Sequence, residues 1–276
     1  MKQARQEYLD IAIRSAIDAG SATLKFYSEE TEVIYKDDNS PLTRADLESN
    51  RVINDYLNKT GIPVLSEENR MIPYSSRSAW NRFWLVDPLD GTKEFINKSS
   101  EYTVNIALIE NNIPVLGVVY VPVMSLLYFG TEETGSFKVS IDAQSDLNTI
   151  QRNPEKIHTG SIHKKLIVVA SKSHLNEETE QFIAKLESVK GECEKRSFGS
   201  SLKLCMVAEG SADVYPRLGP TMEWDTAASH AVARFAGCKI IRLPDKKDLQ
   251  YNKQDLLNPY FLVYNRLLDP EIMRII

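Results

Sequence analysis

Small and apolar residues at Leu9, Ala12, Ile13, Ala16, Ile17, Gly20 and Leu24 recur at intervals of three and four. That spacing predicts an amphipathic first helix ending near Tyr27. A short strand is expected at 33–35, and KDDNSP after it is a turn cluster. Thr43 opens a second helix with Leu47, Val52, Tyr56 and Leu57 expected inward and Gly61 beyond its end. Val64 and Leu65 form a short strand running into Ser66, Glu67 and Glu68. The apolar run 83–86 (FWLV) reads as a buried strand. Runs 102–109 and 114–120 read as adjacent strands joined by a turn at Asn111 and Asn112, and 126–129 and 136–139 extend the same sheet. The polar stretch from 140 to about 165 is read as a link between two halves, 1–150 and 151–276. In the second half, 166–170 is a strand and 176–186 a helix that Asn176 can cap. Then come a strand at 193–198, a helix at 200–208, extended chain at 212–215 and a small-residue helix at 225–236 stopped by Gly237. Strands at 239–241 and 260–263 and a short terminal helix complete the chain. Strands and helices alternate throughout, with the first half leaning to α+β and the second to α/β.

Composition narrows the class. With 276 residues, 42% hydrophobic and 26% charged, the chain is expected to fold as one large or two modest soluble domains. A net charge of −5 disfavours a nucleic-acid polymer as partner, yet leaves room for a small phosphorylated ligand met by a local cation or a metal. Cys193, Cys205 and Cys238 form no CxxC and cannot all pair, so a reducing cytoplasm is the expected setting. MKQARQEYLD carries acid and has no apolar core, so no signal peptide is expected. No run approaches the roughly 20 apolar residues of a membrane span.

The chemistry concentrates after the buried strand, in DPLDGT at 87–92. Pro88 has a fixed φ and no N–H, so the strand is not expected to run on unchanged. Gly91 permits a sharp turn or a close ligand approach. Asp87, Asp90 and the Leu89 carbonyl are hard oxygen donors of the kind Mg²⁺ prefers, and Glu67 joins them if its strand neighbours that of Asp87. Asp225 follows Trp224 at a helix start, where an ordinary cap is the plain alternative. Asp46 completes a T-x-x-D pattern with Thr43, whose plain reading is a capping box. Five converging carboxylates would repel unless cations offset them. Two divalent ions would do so and would activate water on a phosphate ester. The N–H groups of Gly91 and Thr92 suit an anion, and Asp46 acting through the Thr92 hydroxyl would serve as base. Aspartic proteases place Gly after Thr or Ser, and aspartyl-nucleophile phosphatases space their Asp residues at i and i+2. The i, i+3 spacing here favours activated water over a covalent intermediate.

SPLTRAD, VLSEEN, WLVDPLDGTKEF and EWDTAA together resemble the lithium-sensitive, Mg²⁺-dependent phosphatase superfamily of inositol monophosphatase and fructose-1,6-bisphosphatase. Within it, DNSPLTRAD, LVDPLDGTKEFI, YTVNIALIE, LGVVYVPVM and GSSLKLCMVAEGSADVYPRLGPT look most like the bacterial 3′(2′),5′-bisphosphate nucleotidases. The resemblance implies a layered αβαβα sandwich with two or three Mg²⁺ per site. Glu67, Asp87 and the Leu89 carbonyl would hold one ion, and Asp87, Asp90 and Asp225 a second, with Asp46 and Thr92 activating water. Glu67, Leu89, Asp90, Gly91, Thr92 and Asp225 would also meet the substrate. It further implies hydrolysis of adenosine 3′,5′-bisphosphate, left by sulfate activation, to AMP and phosphate. Inhibition by Li⁺ and a cytoplasmic setting, with loose attachment to the inner membrane in some members, belong to the same expectation.

Ser200 and Lys203 in GSSLK, with Ser201 between them, fit a second, 5′ phosphate, and Arg217 is a fork donor for it. The plain alternative for the two cations is a solvated pair. Ser171 and His174 are candidates for ribose or base, against a surface role for His174. Glu223 beside Trp224 departs from the neutral residue usual there. It is expected to turn away; turned inward, it would tighten metal binding or shift substrate choice. Rival readings keep the chemistry with an inositol or fructose phosphate, or make the chain a non-catalytic nucleotide or Mg²⁺ sensor, which would have no use for Asp46 and Thr92.

Overall fold

The computed structural model describes residues 2–28, 33–35, 41–69, 72–141, 147–152, 154–171 and 176–276. Helix α1 (Lys2–Tyr27) turns Leu9, Ala12, Ile13 and Ala16 inward, as its periodicity predicts. Strands β1 (Val33–Tyr35) and β2 (Pro41–Thr43) pair antiparallel. The turn cluster therefore yields Pro41 to a strand, and its residues 36–40 lie outside the described residues. Helix α2 (Arg44–Leu57) buries Ala45, Ser49, Ile53 and Leu57, whereas Leu47 is 47% exposed and Val52 and Tyr56 are only partly covered. The i, i+4 row at 45, 49, 53 and 57 faces the core, so Leu57 lies inward as expected while Leu47, Val52 and Tyr56 lie off that row.

Next come β3 (Val64–Ser66), α3 (Tyr74–Arg77), β4 (Arg82–Asp90), α4 (Thr92–Ile96), β5 (Thr103–Glu110), β6 (Ile113–Val121), β7 (Leu126–Thr131) and β8 (Gly135–Ser140). Asn111 and Asn112, both at positive φ, make the tight turn from β5 to β6. The stretch read as a link instead carries α5 (Leu147–Arg152) and β9 (Glu155–Ile157), and β9 pairs with β8. These strands form a seven-stranded sheet in the order β3-β4-β5-β6-β7-β8-β9. After β10 (Ile167–Ser171), α6 (Glu177–Lys190) and β11 (Glu194–Phe198), helix α7 (Leu202–Ala208) begins two residues later than its composition predicts. Then follow β12 (Val214–Arg217), α8 (Glu223–Phe235), β13 (Cys238–Arg242), β14 (Phe261–Asn265) and α9 (Asp269–Ile275). The second sheet runs β11-β10-β12-β14-β13.

The apolar strands alternate between two cores. In β4, Phe83 and Leu85 face the core shared with α7 and α8, while Trp84 and Val86 face α1 and α2. In β10, Val169 faces α7 and α8, and Val168 faces Phe182 of α6 and Ile272 of α9. Strands covered on both faces read as continuous apolar runs. The layers are thus α1/α2, the large sheet, α7/α8, the small sheet and α6/α9, an αβαβα sandwich. Cys193, Cys205 and Cys238 are buried and unpaired. No helix among the described residues is long and apolar enough to cross a membrane.

Candidate active site

A parallel strand pair and a bulge assemble the acidic groups. Strand β3 runs parallel to β4 with Ser66 opposite Val86, so Glu67 and Asp87 leave neighbouring strands at the same end. Strand β4 does not stop at Pro88. Its pairing with β5 passes from Asp87↔Asn105 to Asp90↔Thr103, three residues against two, which is a bulge. Pro88, with no N–H to pair, sits within that bulge, and Ser49 Oγ donates to its carbonyl at 2.6 Å. Leu89 N–H donates back to Asp87 Oδ1 at 3.0 Å, leaving Leu89 itself buried. Gly91 then takes φ +93° and starts α4 at Thr92. A side chain there would be strained by that backbone conformation and would crowd Glu94.

Asp46 closes the expected capping box and also reaches Thr92. Its Oδ2 accepts the Thr43 N–H at 2.8 Å and the Thr43 hydroxyl at 2.5 Å, closing the capping box. Its Oδ1 accepts the Thr92 hydroxyl at 3.2 Å. Burial pushes the Asp46 carboxyl up to about 6, partly opposed by the bonds from Thr43.

Asp90 is caged by β5 and by the chain leading into α7. Its Oδ2 accepts Ser201 N–H at 2.5 Å, and Thr103 Oγ1 and Asn105 Nδ2 stand 3.4 and 3.5 Å away. The Ser201 hydroxyl in turn donates to Asn105 Oδ1 at 2.8 Å. Burial raises Asp90 to about 6, while Lys203 and the Ser201 N–H pull the other way. Asp225, third residue of α8, accepts the Met222 N–H at 3.0 Å. Burial raises Asp87 well above the usual carboxylate range, and the charges of Glu67, Asp90 and Asp225 add to the rise. Burial does the same to Asp225, helped by Asp90 and Glu67. Four carboxylates therefore feel one another in a desolvated place.

A cavity of about 250 Å³ opens over this cluster. Glu67, Asp90, Gly91, Thr92 and Asp225 line one part of it, and Ser171, Ser200, Lys203 and Arg217 also line it. Asp87 and Leu89 do not line it, and Asp46 reaches it through Thr92. His174 lies outside the described residues. Lys203 and Arg217 are 4% and 8% exposed, so they are not a solvated pair. Lys203 Nζ donates to the carbonyls of Phe198 (3.1 Å) and Ser200 (2.6 Å) and stands over the Tyr215 ring. Burial lowers its pKa to about 8. Arg217 bonds the Pro220 carbonyl.

Whether metal suits this place can be judged from the donors. They are hard oxygens, Asp87 buried and Glu67, Asp90 and Asp225 half-buried, and their charges raise one another's affinity for protons, a set that a divalent cation relieves. Among the described residues no three His, Cys, Asp or Glu side chains already stand in a ligating arrangement. Glu67, Asp90 and Asp225 thus share a cavity, and Asp87 shares their field from beneath it, without the four closing on one point. Ser201, Thr103 and Asn105 are the partners that composition did not single out for Asp90. A signal existed for two of them: Thr103 and Asn105 interrupt an otherwise apolar strand at alternate positions, and buried polar groups need partners.

A model of the inositol monophosphatase family matches residues 4–276. The 3′(2′),5′-bisphosphate nucleotidase CysQ of Escherichia coli K12 is 42% identical over 260 residues, covering 92% of this chain and 98% of that protein. The crystal structure of CysQ from Bacteroides thetaiotaomicron superposes with TM-score 0.85 at 47% identity, over 95% of this chain and 98% of that one. An inositol monophosphatase from Thermotoga maritima shares the fold, with TM-score 0.75 at 21% identity.

Proposed function

The chain belongs to the inositol monophosphatase family, and from that premise we propose that it is a 3′(2′),5′-bisphosphate nucleotidase. It is a phosphoric monoester hydrolase that converts adenosine 3′,5′-bisphosphate to AMP and phosphate. The observation that carries the reading is the single cavity that joins a carboxylate cluster to two buried cations. A substrate with one phosphate to cleave and a second to hold uses both parts. The CysQ names of the relatives point the same way.

Glu67, Asp87, the Leu89 carbonyl, Asp90 and Asp225 would hold two or three Mg²⁺. Bound there, the ions supply Lewis-acid polarisation of the phosphate and a water of lowered pKa. Thr92, bonded to Asp46, would orient the attacking water, and Asp46 would take its proton through the hydroxyl. The water oxygen bonds to phosphorus as the bond from phosphorus to the ribose oxygen breaks, and the departing oxygen is protonated from solvent. Gly91 and Thr92 N–H groups meet the scissile phosphate. Lys203, Arg217 and Ser200 receive the 5′ phosphate, and Ser171 the ribose. The place of action is the cytoplasm, in clearing a nucleotide left by sulfur metabolism, with Li⁺ as an inhibitor that displaces Mg²⁺.

A phosphate-release panel on adenosine 3′,5′-bisphosphate, inositol monophosphate and fructose 1,6-bisphosphate, with and without Mg²⁺ and Li⁺, tests this. Preferred, Mg²⁺-dependent, Li⁺-sensitive turnover of the nucleotide is expected. Equal or better turnover of inositol phosphate would reject the nucleotide assignment, and ligand binding without release would favour a sensor.

A further inference from the structure

Glu223 is fully buried, two residues before Asp225. Positions i and i+2 on a helix leave on different sides, and the structure follows that rule. Asp225 turns to the Met222 N–H and the cavity. Glu223 turns to the segment 250–258, where its carboxylate accepts the N–H groups of Asn252 (2.6 Å) and Lys253 (3.0 Å) and pairs with Lys253 Nζ. The expectation that it avoids the acidic cluster holds.

The same segment is bound from the other side. Arg77, on α3, is 3% exposed. Its guanidinium donates to Asn252 Oδ1 at 2.9 Å and to the carbonyls of Lys253 and Gln254 at 2.6 and 3.0 Å. Asn252 Nδ2 returns a bond to the Arg77 carbonyl at 2.8 Å. Asn252 holds φ +68°, a conformation that such bonding stabilises. Asn258 Nδ2 then donates to the Met222 carbonyl at 2.8 Å, and Glu223 N–H to that of Leu256 at 2.9 Å. The first turn of α8 is thereby held from outside the cavity, and Glu223 is the acidic side chain that fastens it to this segment.

We propose that Glu223 is a positioning residue for Asp225. By fastening 250–258 to the first turn of α8, it fixes how far the Asp225 carboxylate enters the cavity, and so sets the affinity for the divalent ion that carboxylate would help hold. This rests on the functional reading above. Groups that bond a metal-holding side chain directly tune affinity by about 10–100-fold; Glu223 acts one step further out, through the turn that carries Asp225, so an effect at the low end of that range is expected.

The test uses the full chain and Mg²⁺ alone. Calorimetric titration of Mg²⁺ into wild type, Glu223→Gln, Glu223→Ala and Lys253→Met gives the affinity of each folded protein without turnover. Circular dichroism checks the fold. About tenfold weaker binding is expected for Glu223→Ala, with Lys253→Met and Glu223→Gln between it and wild type. KM for the nucleotide at saturating Mg²⁺ should stay near wild type. Variants that only melt earlier, with Mg²⁺ affinity unchanged, would overturn the positioning role and leave a purely structural one. If Glu223→Ala does not fold, Lys253→Met decides in the same way. Failure of wild type to bind Mg²⁺ would overturn the functional reading itself, which separates the two.

Discussion

At the residue scale, Asp46 divides its two oxygens between tasks. One oxygen caps α2 and the other holds Thr92. Replacing Thr92 with Ala leaves the cap and the acidic cluster in place and removes only the hydroxyl between Asp46 and the cavity. Mg²⁺ affinity by calorimetry should stay within about twofold, while kcat falls by about 10²-fold, the lower range for a lost proton-transfer group. Weaker Mg²⁺ binding would instead make Thr92 a ligand. Lys203 poses a different question, because its ammonium is buried and already bonds two carbonyls of the segment that meets Asp90. Lys203→Ala should raise KM for adenosine 3′,5′-bisphosphate by about tenfold, as expected for a lost charged hydrogen bond. KM for adenosine 3′-monophosphate should hardly change. Equal changes on both substrates would mean that Lys203 serves the loop and not the second phosphate.

At the element scale, α8 lies against β6 at unusually short range. A Cβ on Gly117 would stand 2.1 Å from the Ala228 carbonyl oxygen and 2.7 Å from the Ala231 Cβ. Backbone cannot yield locally, so Gly117→Ala must push the helix away from the sheet. Urea denaturation should show a loss of about 1–3 kcal/mol, the usual cost of overpacking. An unchanged midpoint would mean that α8 slides freely on the sheet. The small-residue run of α8 was legible as a helix, but the reason for its small residues was not, since that reason is a glycine more than 100 positions earlier. Local signals read well: Pro88 and Gly91 marked an irregular strand end, and Asn111 with Asn112 marked a turn. Glu67 could be placed beside Asp87 only on condition that their strands were neighbours, which pairing alone decides. Leu47 misled because size was taken for burial, while Ala45 and Ser49 made the closer packing. Lys203 and Arg217 look like surface charges in a sequence, because burial of a cation depends on partners that only the fold supplies.

At the scale of the whole molecule, the middle layer carries a group whose titration should be visible in stability. His230 of α8 is 2% exposed, and its Nδ1 lies 2.8 Å from Tyr251 Oη. Burial drives its pKa down to about 3, with Arg234 adding to the drop. In the unfolded chain an imidazole titrates near 6.5, so on acidification the unfolded state takes up the proton first. The contribution of His230 is therefore complete above pH 6.5 and is lost as pH falls toward 3, at about 1.4 kcal/mol per unit. The raised carboxylates of the cavity act with the opposite sign: folded, they protonate more readily, so their share is present in acid and is lost as pH rises. A wild-type curve mixes the two, but the difference between wild type and His230→Asn cancels the carboxylates. Urea denaturation from pH 7.5 to pH 4 should show the wild type losing stability relative to the variant. The stability gap between them should narrow by about 3 kcal/mol over that range. Parallel curves would mean that the imidazole reaches a proton without unfolding, and that the layer between the sheets opens in acid before the molecule does.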